Sequence, residues 1–163
     1  MKTVEARVNG LILEHKTQQN IVILREVEGE RILPIWIGSG EANAILTKLK
    51  GSDPPRPMTH DLLQSLVDLV GASVLRVAVT ELRDNTYYAM ITLRINGEDV
   101  ELDSRPSDAI ALAVRADAPI FADEAVIEES AVEAERPPSE QQVVEDFRRF
   151  LDELSPDDFL RDE

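Results

Sequence analysis

Residues Gly51 to Gly71, GSDPPRPMTHDLLQSLVDLVG, form the stretch around which the rest of the chain is arranged. The prolines at 54, 55 and 57 fix their own φ angles and restrict the residues before them, so the stretch begins as a stiff loop. Thr59 then starts a helix, because apolar residues recur after it at helical spacing and Gly71 ends the pattern. These apolar residues are Leu62, Leu63, Leu66, Val67, Leu69 and Val70.

The start of this helix brings Arg56, His60 and Asp61 close together in sequence, and the grouping has two interpretations. Thr59 is a good N-cap, and an acid in the first turn interacts with the helix dipole by about 0.3–1 kcal/mol. The alternative is a phosphate or metal site, because the N–H groups of a helix start attract anions and Arg56 could add a bidentate contact. Spacing alone favours the capping interpretation.

The composition of the 163 residues indicates one domain with an appendage. The apolar fraction of 43% is enough for a core, and the core should be aliphatic because only 4% of residues are aromatic. The absence of cysteine excludes disulfides, thiolate zinc sites and cysteine nucleophiles. We find no signal peptide or transmembrane pattern, and we expect a soluble cytoplasmic protein without an organic cofactor.

The net charge of −15 is unevenly distributed along the chain. Residues 1–122 contain 13 basic and 17 acidic side chains, whereas residues 123–163 contain 4 basic and 15 acidic ones. Without a basic stripe, non-specific binding to nucleic acid should be weak. The nearly balanced body still leaves room for a small pocket that binds phosphate.

Alternating and apolar segments predict seven strands. They cover residues 3–14 with a break near Gly10, 21–27, 31–37, 74–82, 87–95, 99–103 and 119–121. Pro34 should lie at a sheet edge or on a bulge because proline lacks a backbone donor. We expect Trp36, the only tryptophan, to pack in the core or at an interface.

An internal similarity suggests that two units of the chain are related. GEANAI (residues 40–45), at the start of the predicted helix 41–50, resembles SDAIAL (residues 107–112), at the start of the predicted helix 109–115, and each follows a hairpin with glycine in its turn. Ser107 can cap the second helix. We therefore predict an α+β fold in which two β-β-β-α units build a mixed, largely antiparallel sheet covered by helices, with the helix that follows Thr59 between the units.

The composition changes from Asp123 onward, and we place a domain in residues 1–130 and an acidic linker with a C-terminal helix, the tail, in residues 131–163. The tail contains a helix from 139 or 140 to 154 with an apolar stripe. The stripe should dock on the body, another subunit or a partner, because exposed phenylalanines are unfavourable. Its residues are Val143, Val144, Phe147, Phe150, Leu151 and Leu154.

Four sequence blocks resemble the bifunctional nuclease family, which is named for DNase and RNase activity. They are LPIWIG with the acidic helix start (33–45), PPRPMTHDLL (54–63), TYYAMITL (86–93) and DSRPSDAIALAVR (103–115). The likeness covers about residues 3–125, and the tail block FLDELSPDDF (150–159) looks like the ending of actinobacterial members. The resemblance implies cleavage of DNA and RNA, an internally repeated α+β fold and a homodimer or other homo-oligomer.

Hydrolysis of a phosphodiester needs an activated water and neutralisation of charge at phosphorus. The family blocks offer residues for both tasks, and we expect them to meet in one cleft because they lie in loops or first helical turns. We assign His60, Asp61 and Glu41 to catalysis, with His60 as the base. We assign Arg56, Arg105 and Ser107 to substrate binding, and Asp103 and Asp108 to a Mg²⁺ or Mn²⁺ ion.

Two alternatives remain open. The same acids and arginines could form a structural network, with Arg56 and Arg105 paired to Asp61 and Asp108. The protein could then be a non-catalytic regulatory or binding module that uses its acidic C-terminal helix. A Ser-His-Asp triad is disfavoured, since adjacent helical residues such as His60 and Asp61 point in different directions.

Overall fold

The computed structural model describes residues 2–133 and 140–153 of the chain. The chain forms two compact units, residues 1–133 and 134–163, and each is described by itself. The first unit contains a mixed sheet, which has eight strands in the described residues. They are β1 (Thr3–Glu14), β2 (Gln19–Glu26), β3 (Arg31–Ile37), β4 (Ser73–Arg83), β5 (Thr86–Ile95), β6 (Glu98–Ser104), β7 (Ile120–Asp123) and β8 (Val132–Glu133).

The strands lie side by side in the order β6-β5-β4-β7-β1-β2-β3-β8. The β4–β7 pair is parallel, and the other neighbouring pairs between residues 3 and 133 are antiparallel. The register of β1 against β2 shifts between Val8 and Gly10, which confirms the predicted break. The short strand β7 therefore joins the two antiparallel halves of the sheet.

Two-residue turns connect β4 to β5 and β5 to β6. Both central residues have positive φ in each turn: 50° and 58° at Asp84 and Asn85, and 52° and 83° at Asn96 and Gly97. Such turns match the twist of the flanking strands. The hairpins predicted from these residues are confirmed.

Four helices belong to the first unit: α1 (Ser39–Leu49), α2 (Thr59–Leu69), α3 (Pro106–Ala116) and α4 (Glu124–Ser130). Helix α3 is the central one, since it contacts α1, α2, β4 and β5. It begins three residues earlier than predicted because Pro106 fits the first helical turn, where its missing N–H has no intrahelical partner to lose. The sequence did not predict α4 or β8.

The chain repeats β1-β2-β3-α1 as β4-β5-β6-α3, with α2 between the two. This confirms the predicted α+β fold of two related β-β-β-α units. The core that they share is aliphatic, as the composition predicts. Its largest fully buried side chains are Leu24, Ile35, Ile45, Ile110, Leu112, Val22, Val77 and Val79.

Strand β3 is nearly an edge strand, because β8 pairs only with Arg31 and Ile32. Pro34 lies beyond this pairing, which confirms the prediction of an edge position. Ile35 is buried, whereas Trp36 is 53% exposed because successive residues of a strand point to opposite faces. The expectation of a core position for Trp36 is therefore wrong, and an interface position stays a prediction.

The sheet is curled, so that strands distant in its order approach each other. The Tyr87 hydroxyl at the start of β5 donates a hydrogen bond of 3.5 Å to the Pro34 carbonyl of β3. Arg31 fastens α4 to the same end of the sheet: its Nε donates to Glu26 (3.0 Å) and its Nη1 to Glu124 (2.8 Å). The Arg31 hydrogen bond lowers the pKa of the Glu26 carboxyl against the opposing effect of burial.

The second unit contains helix α5 (Glu140–Glu153), which confirms the predicted amphipathic helix. Val143, Phe147, Phe150 and Leu151 recur at helical spacing on its apolar stripe. Leu154 and the turn predicted after it lie outside the described residues, and docking of the stripe stays a prediction. None of the described helices has both the length and the apolar character needed to cross a membrane.

Candidate active site

His60 and Asp61 lie side by side at the start of α2, but they belong to different clusters. The His60 Nε2 atom is 2.8 Å from Oδ1 of Asp108, in the first turn of α3. Asp61 instead accepts a 2.9 Å bond from the Met58 N–H and a 2.7 Å bond from Arg115 Nε. The two side chains thus diverge as predicted, and no His60–Asp61 dyad can form.

The N-terminus of α2 differs from the sequence prediction in its cap. The N-cap is Met58, and Thr59 is the first helical residue. The Asp61 carboxylate takes over part of the capping by accepting the Met58 N–H. Ser107 likewise does not cap α3, because Arg105 is the N-cap and the Ser107 residue is buried in the first turn.

Arg105 connects the start of α3 to the start of α1. Its Nε donates to Oδ2 of Asp108 at 2.8 Å, and its Nη2 donates to Oε1 of Glu41 at 3.0 Å. The Arg105 side chain is 66% exposed, in contrast to the buried His60 beside it. These two bonds use two guanidinium nitrogens and leave Nη1 as the third. We call Glu41, His60, Arg105 and Asp108 the His60 cluster.

Electrostatics keeps Asp108 and Arg105 charged. Burial of Asp108 disfavours its charged form, but hydrogen bonds from Arg105 and His60 outweigh that effect and lower the pKa of the carboxyl. The Asp108 bond, followed by the Glu41 bond, raises the pKa of Arg105. The Asp108 carboxylate is therefore an acceptor for His60 over the whole physiological pH range.

A second cluster joins Asp61 to Arg115 in the last turn of α3. The Arg115 side chain is only 5% exposed, and besides Asp61 it donates to the carbonyls of Ala111 (2.8 Å) and Ala44 (3.1 Å). The Met58 N–H and Arg115 lower the pKa of Asp61. This Arg115 cluster holds the three body helices together. In the alternative of a structural network, Arg56 would pair with Asp61, and Arg115 takes that place instead.

The His60 cluster opens into cavities. A cavity of about 700 Å³ lies between α2 and strands β5 and β6, and a second of about 270 Å³ lies among α1, α2 and α3. His60, Arg105 and Asp108 line both. A polar cluster at the junction of two cavities can contact a ligand, whereas Arg115 already uses all its nitrogens on the protein.

The structure brings together only some of the predicted site residues. Asp103 of β6 lines the 700 Å³ cavity, as His60, Arg105 and Asp108 do. Ser107 lines a third cavity, which also reaches Arg105. Asp61 belongs to the Arg115 cluster instead, and Arg56 is exposed on the loop before α2.

Comparison with known families identifies the fold that carries these clusters. The model of the bifunctional nuclease domain matches residues 22–135, which is more than half of the chain and includes both clusters. The chain belongs to the bifunctional nuclease domain family.

Relatives of this domain occur in bacteria and plants. An uncharacterised protein of Mycobacterium tuberculosis is 41% identical over 163 residues, covering 95% of this chain and 97% of the relative. A protein of Oryza minuta named bifunctional nuclease is 26% identical, covering 97% of this chain but 49% of its own length. Bifunctional nuclease 1 of Arabidopsis thaliana is 30% identical over 68% of this chain and 35% of its own length.

The residues of this bifunctional nuclease domain do not fit a ready-made metal centre. Within residues 2–133 and 140–153, no group of three or more His, Asp or Glu side chains is placed to hold a metal ion. The Glu41 and Asp108 carboxylates are turned to Arg105 instead. A Mg²⁺ ion held partly by substrate phosphates needs only one or two carboxylates, so the predicted ion stays a proposal.

Arg115 is the site residue that sequence reasoning missed in this domain. It follows the uninterrupted apolar run 109–114, and a cation that ends such a deeply buried helix must find partners within the protein. That signal was available in the sequence. The identity of its partner Asp61, 54 residues away, could not be predicted from the sequence, because the pairing depends on how α2 packs on α3.

Proposed function

We propose that the chain hydrolyses phosphodiester bonds of DNA and RNA, with the reaction centred on the His60 cluster. The observation that carries this proposal is the 2.8 Å contact between His60 and the Asp108 carboxylate, beside Arg105 and at the junction of two cavities. The names of the rice and Arabidopsis relatives support the same activity.

The contact with Asp108 defines a role for each imidazole nitrogen. Because an ionised carboxylate only accepts hydrogen bonds, the neutral imidazole carries its proton on Nε2 and donates it to Asp108. The lone pair is then on Nδ1, which can accept a proton from an attacking water. Asp108 stabilises the imidazolium that results, as a carboxylate does for the histidine of other hydrolases.

Arg105 is suited to the phosphate. Its Nε and Nη2 are held by Asp108 and Glu41, which restricts the guanidinium plane and leaves the Nη1 donor for a ligand. As the water oxygen bonds to phosphorus, this donor offsets the growing negative charge, and the P–O ester bond breaks with solvent protonating the leaving oxygen. Glu41 is a positioning residue in this scheme.

The remaining assignments follow from the geometry. Asp61 acts as a positioning residue through Met58 and Arg115 rather than as a second base. Asp103 is the carboxylate to test as a Mg²⁺ or Mn²⁺ ligand, and no step above depends on an ion. Arg56 stays a proposed substrate contact because it is exposed on the adjoining loop.

Cleavage of labelled single-stranded DNA and RNA by the purified protein tests the proposal, with Mg²⁺, Mn²⁺ or EDTA present. His60→Ala should lower the rate by about 10²–10⁴-fold, the usual range for loss of a general base. The exposed His15 supplies the matched control, and His15→Ala should cleave like the wild type. Equal rates for the two variants would indicate another site or a contaminating nuclease.

A non-catalytic regulatory or binding module is the second candidate. It is favoured by one observation: Glu41, Asp61 and Asp108 are all paired with arginines, as a structural network requires. Under this alternative the folded protein cleaves neither nucleic acid under any metal condition, and replacement of Phe147 and Phe150 by serine in α5 abolishes partner binding.

Self-association and location complete the proposal. We propose a homodimer or other homo-oligomer in the cytoplasm, as the family resemblance and the sequence imply. Sedimentation velocity over a hundredfold range of concentration tests the first part, and a single species of 18.2 kDa throughout would contradict it. Fractionation of cells that express the protein tests the second part.

A further inference from the structure

Arg105 also borders a third cavity, on the side away from α2. This cavity has a volume of about 260 Å³ and lies between the end of β3, the β4–β5 turn and the start of α3. Trp36, Asn85, Tyr87 and Ser107 line it together with Arg105. We call it the Trp36 cavity.

The lining combines groups that suit a nucleobase. The indole and phenol rings supply aromatic surface, and the Asn85 amide and Ser107 hydroxyl supply donors and acceptors for the edge of a base. Stacking on aromatic side chains is a general means of holding single-stranded nucleic acid and depends little on sequence. Only 4% of the residues in this chain are aromatic, so two of them at one cavity indicate a surface suited to stacking.

Trp36 is available for stacking because the sheet leaves it uncovered. It lies on the face of β3 opposite to the buried Ile35, and it is 53% exposed although it is the largest apolar side chain of the protein. Tyr87 of β5 lines the same cavity and is held by its bond to the Pro34 carbonyl. A flat, apolar ligand that entered this cavity and contacted the indole would cover surface now exposed to water.

Arg105 connects this cavity to the His60 cluster. The same residue lines the Trp36 cavity and both cavities that contain His60. A phosphate bound at Arg105 would therefore have room for one nucleotide on each side. That arrangement suits a polynucleotide with the reacting phosphate in its interior.

We propose that the Trp36 cavity binds an unpaired nucleobase next to the phosphate at Arg105, so that the substrate of this protein is single-stranded DNA or RNA. This inference rests on the proposed function for the position of the phosphate. In a duplex the faces of interior bases are covered by their neighbours and cannot stack on Trp36. The chain also lacks the basic stripe that binding of a duplex backbone requires.

The fluorescence of Trp36 provides a direct readout, because the chain has no other tryptophan. Full-length His60→Ala protein is titrated with a ten-residue single-stranded deoxyadenosine oligomer, with gels to show that the oligomer stays intact. Stacking should quench the indole emission. A ten-residue abasic oligomer with the same phosphates, and the same deoxyadenosine sequence in a blunt duplex, should leave the emission unchanged.

Variants at position 36 test the same contact through affinity. Trp36→Ala should weaken binding of a labelled oligomer by roughly tenfold, which corresponds to the loss of one stacked base. Trp36→Phe should restore most of the affinity, and rescue by another ring separates stacking from a purely structural role. Leu69→Ala at the end of α2 alters an exposed apolar residue outside the cavities at Arg105 and should bind like the parent.

The outcomes separate this inference from the proposed function. Cleavage by the wild type with unchanged Trp36 emission, and with Trp36→Ala binding like the parent, would overturn the base site and leave the nuclease proposal intact. Quenching without cleavage by the wild type would support the base site and sink the nuclease proposal. The base site would be overturned if the abasic oligomer quenched the Trp36 emission as strongly as the deoxyadenosine oligomer does. It would also be overturned if the emission fell equally when protein was diluted or concentrated without any oligomer.

Discussion

Arg105 and Arg115 lie ten residues apart, at the two ends of α3, and pair with aspartates of the α2–α3 interface in very different settings. Arg115 is 5% exposed and donates to Asp61 and to two backbone carbonyls. Arg105 is 66% exposed, donates to Asp108 and Glu41, and borders three cavities. The difference shows that an arginine–carboxylate pair is structural or functional according to what else the guanidinium can reach.

The buried cluster should give the largest effect on stability. Arg115→Ala leaves the Asp61 carboxylate without its charged partner and two carbonyls without a donor, so we expect a loss of about 3–5 kcal/mol of unfolding free energy. Urea unfolding followed by circular dichroism measures it. Arg94→Ala breaks the exposed ion pair with Asp99 and serves as the matched control, with an expected loss of about 0–1 kcal/mol.

A double variant sharpens this result. Asp61→Asn combined with Arg115→Ala removes the unpaired charge and should recover part of the stability lost in Arg115→Ala. Additive losses in the double variant would show that the two side chains act independently. The Arg115 cluster would then not be the element that holds the three helices together.

Substitution in the His60 cluster should reduce cleavage strongly and stability only slightly. Arg105→Ala should change the unfolding free energy by about 1 kcal/mol or less, because water replaces the bonds of an exposed guanidinium. Cleavage should fall by roughly ten- to a hundredfold, the effect of losing a hydrogen bond to a charged group of about 1.5–3 kcal/mol. A destabilisation as large as that of Arg115→Ala would remove the distinction between the two clusters.

The fold was more predictable from the sequence than the division between these clusters. Turn residues such as Asn96 and Gly97 specify their hairpins locally, and the repeated pattern of strands and helix follows from such signals. The convergence of His60 and Arg105 also follows from their places at helix starts. The partner of Asp61 could not be predicted, because Arg56 is near it in sequence while Arg115 is near it only after α2 packs on α3.

Trp36 shows a second limit of the sequence pattern. For Trp36, in the largely apolar run RILPIWI, the sequence predicts packing in the core or at an interface. Burial instead alternates, with Leu33 and Ile35 in the core and Trp36 exposed. Successive residues of a strand point to opposite faces, so Trp36 lies on the face opposite to the buried Leu33 and Ile35. Which face of a strand is covered depends on how distant elements pack on the sheet.

Lowering the pH should change the unfolding free energy less than the substitutions above, and it should still distinguish the Arg115 cluster from an exposed ion pair. Hydrogen bonds from the Met58 N–H and Arg115 lower the pKa of Asp61 in the folded state below its ordinary value near 3.8. An unfolded chain therefore binds the proton more readily. The stability contributed by Asp61 is complete above about pH 4 and is lost as the pH falls through the lowered pKa.

Asp61→Asn should consequently be less stable than the wild type at pH 7, and the difference should shrink as the pH falls below about 4. Urea unfolding at intervals between pH 7 and pH 2 measures this convergence. Asp99→Asn, which alters an exposed pair, should show little difference at any pH. A constant gap between Asp61→Asn and the wild type would mean that Asp61 contributes through packing rather than charge, and Arg115 would then be held chiefly by the carbonyls of Ala111 and Ala44.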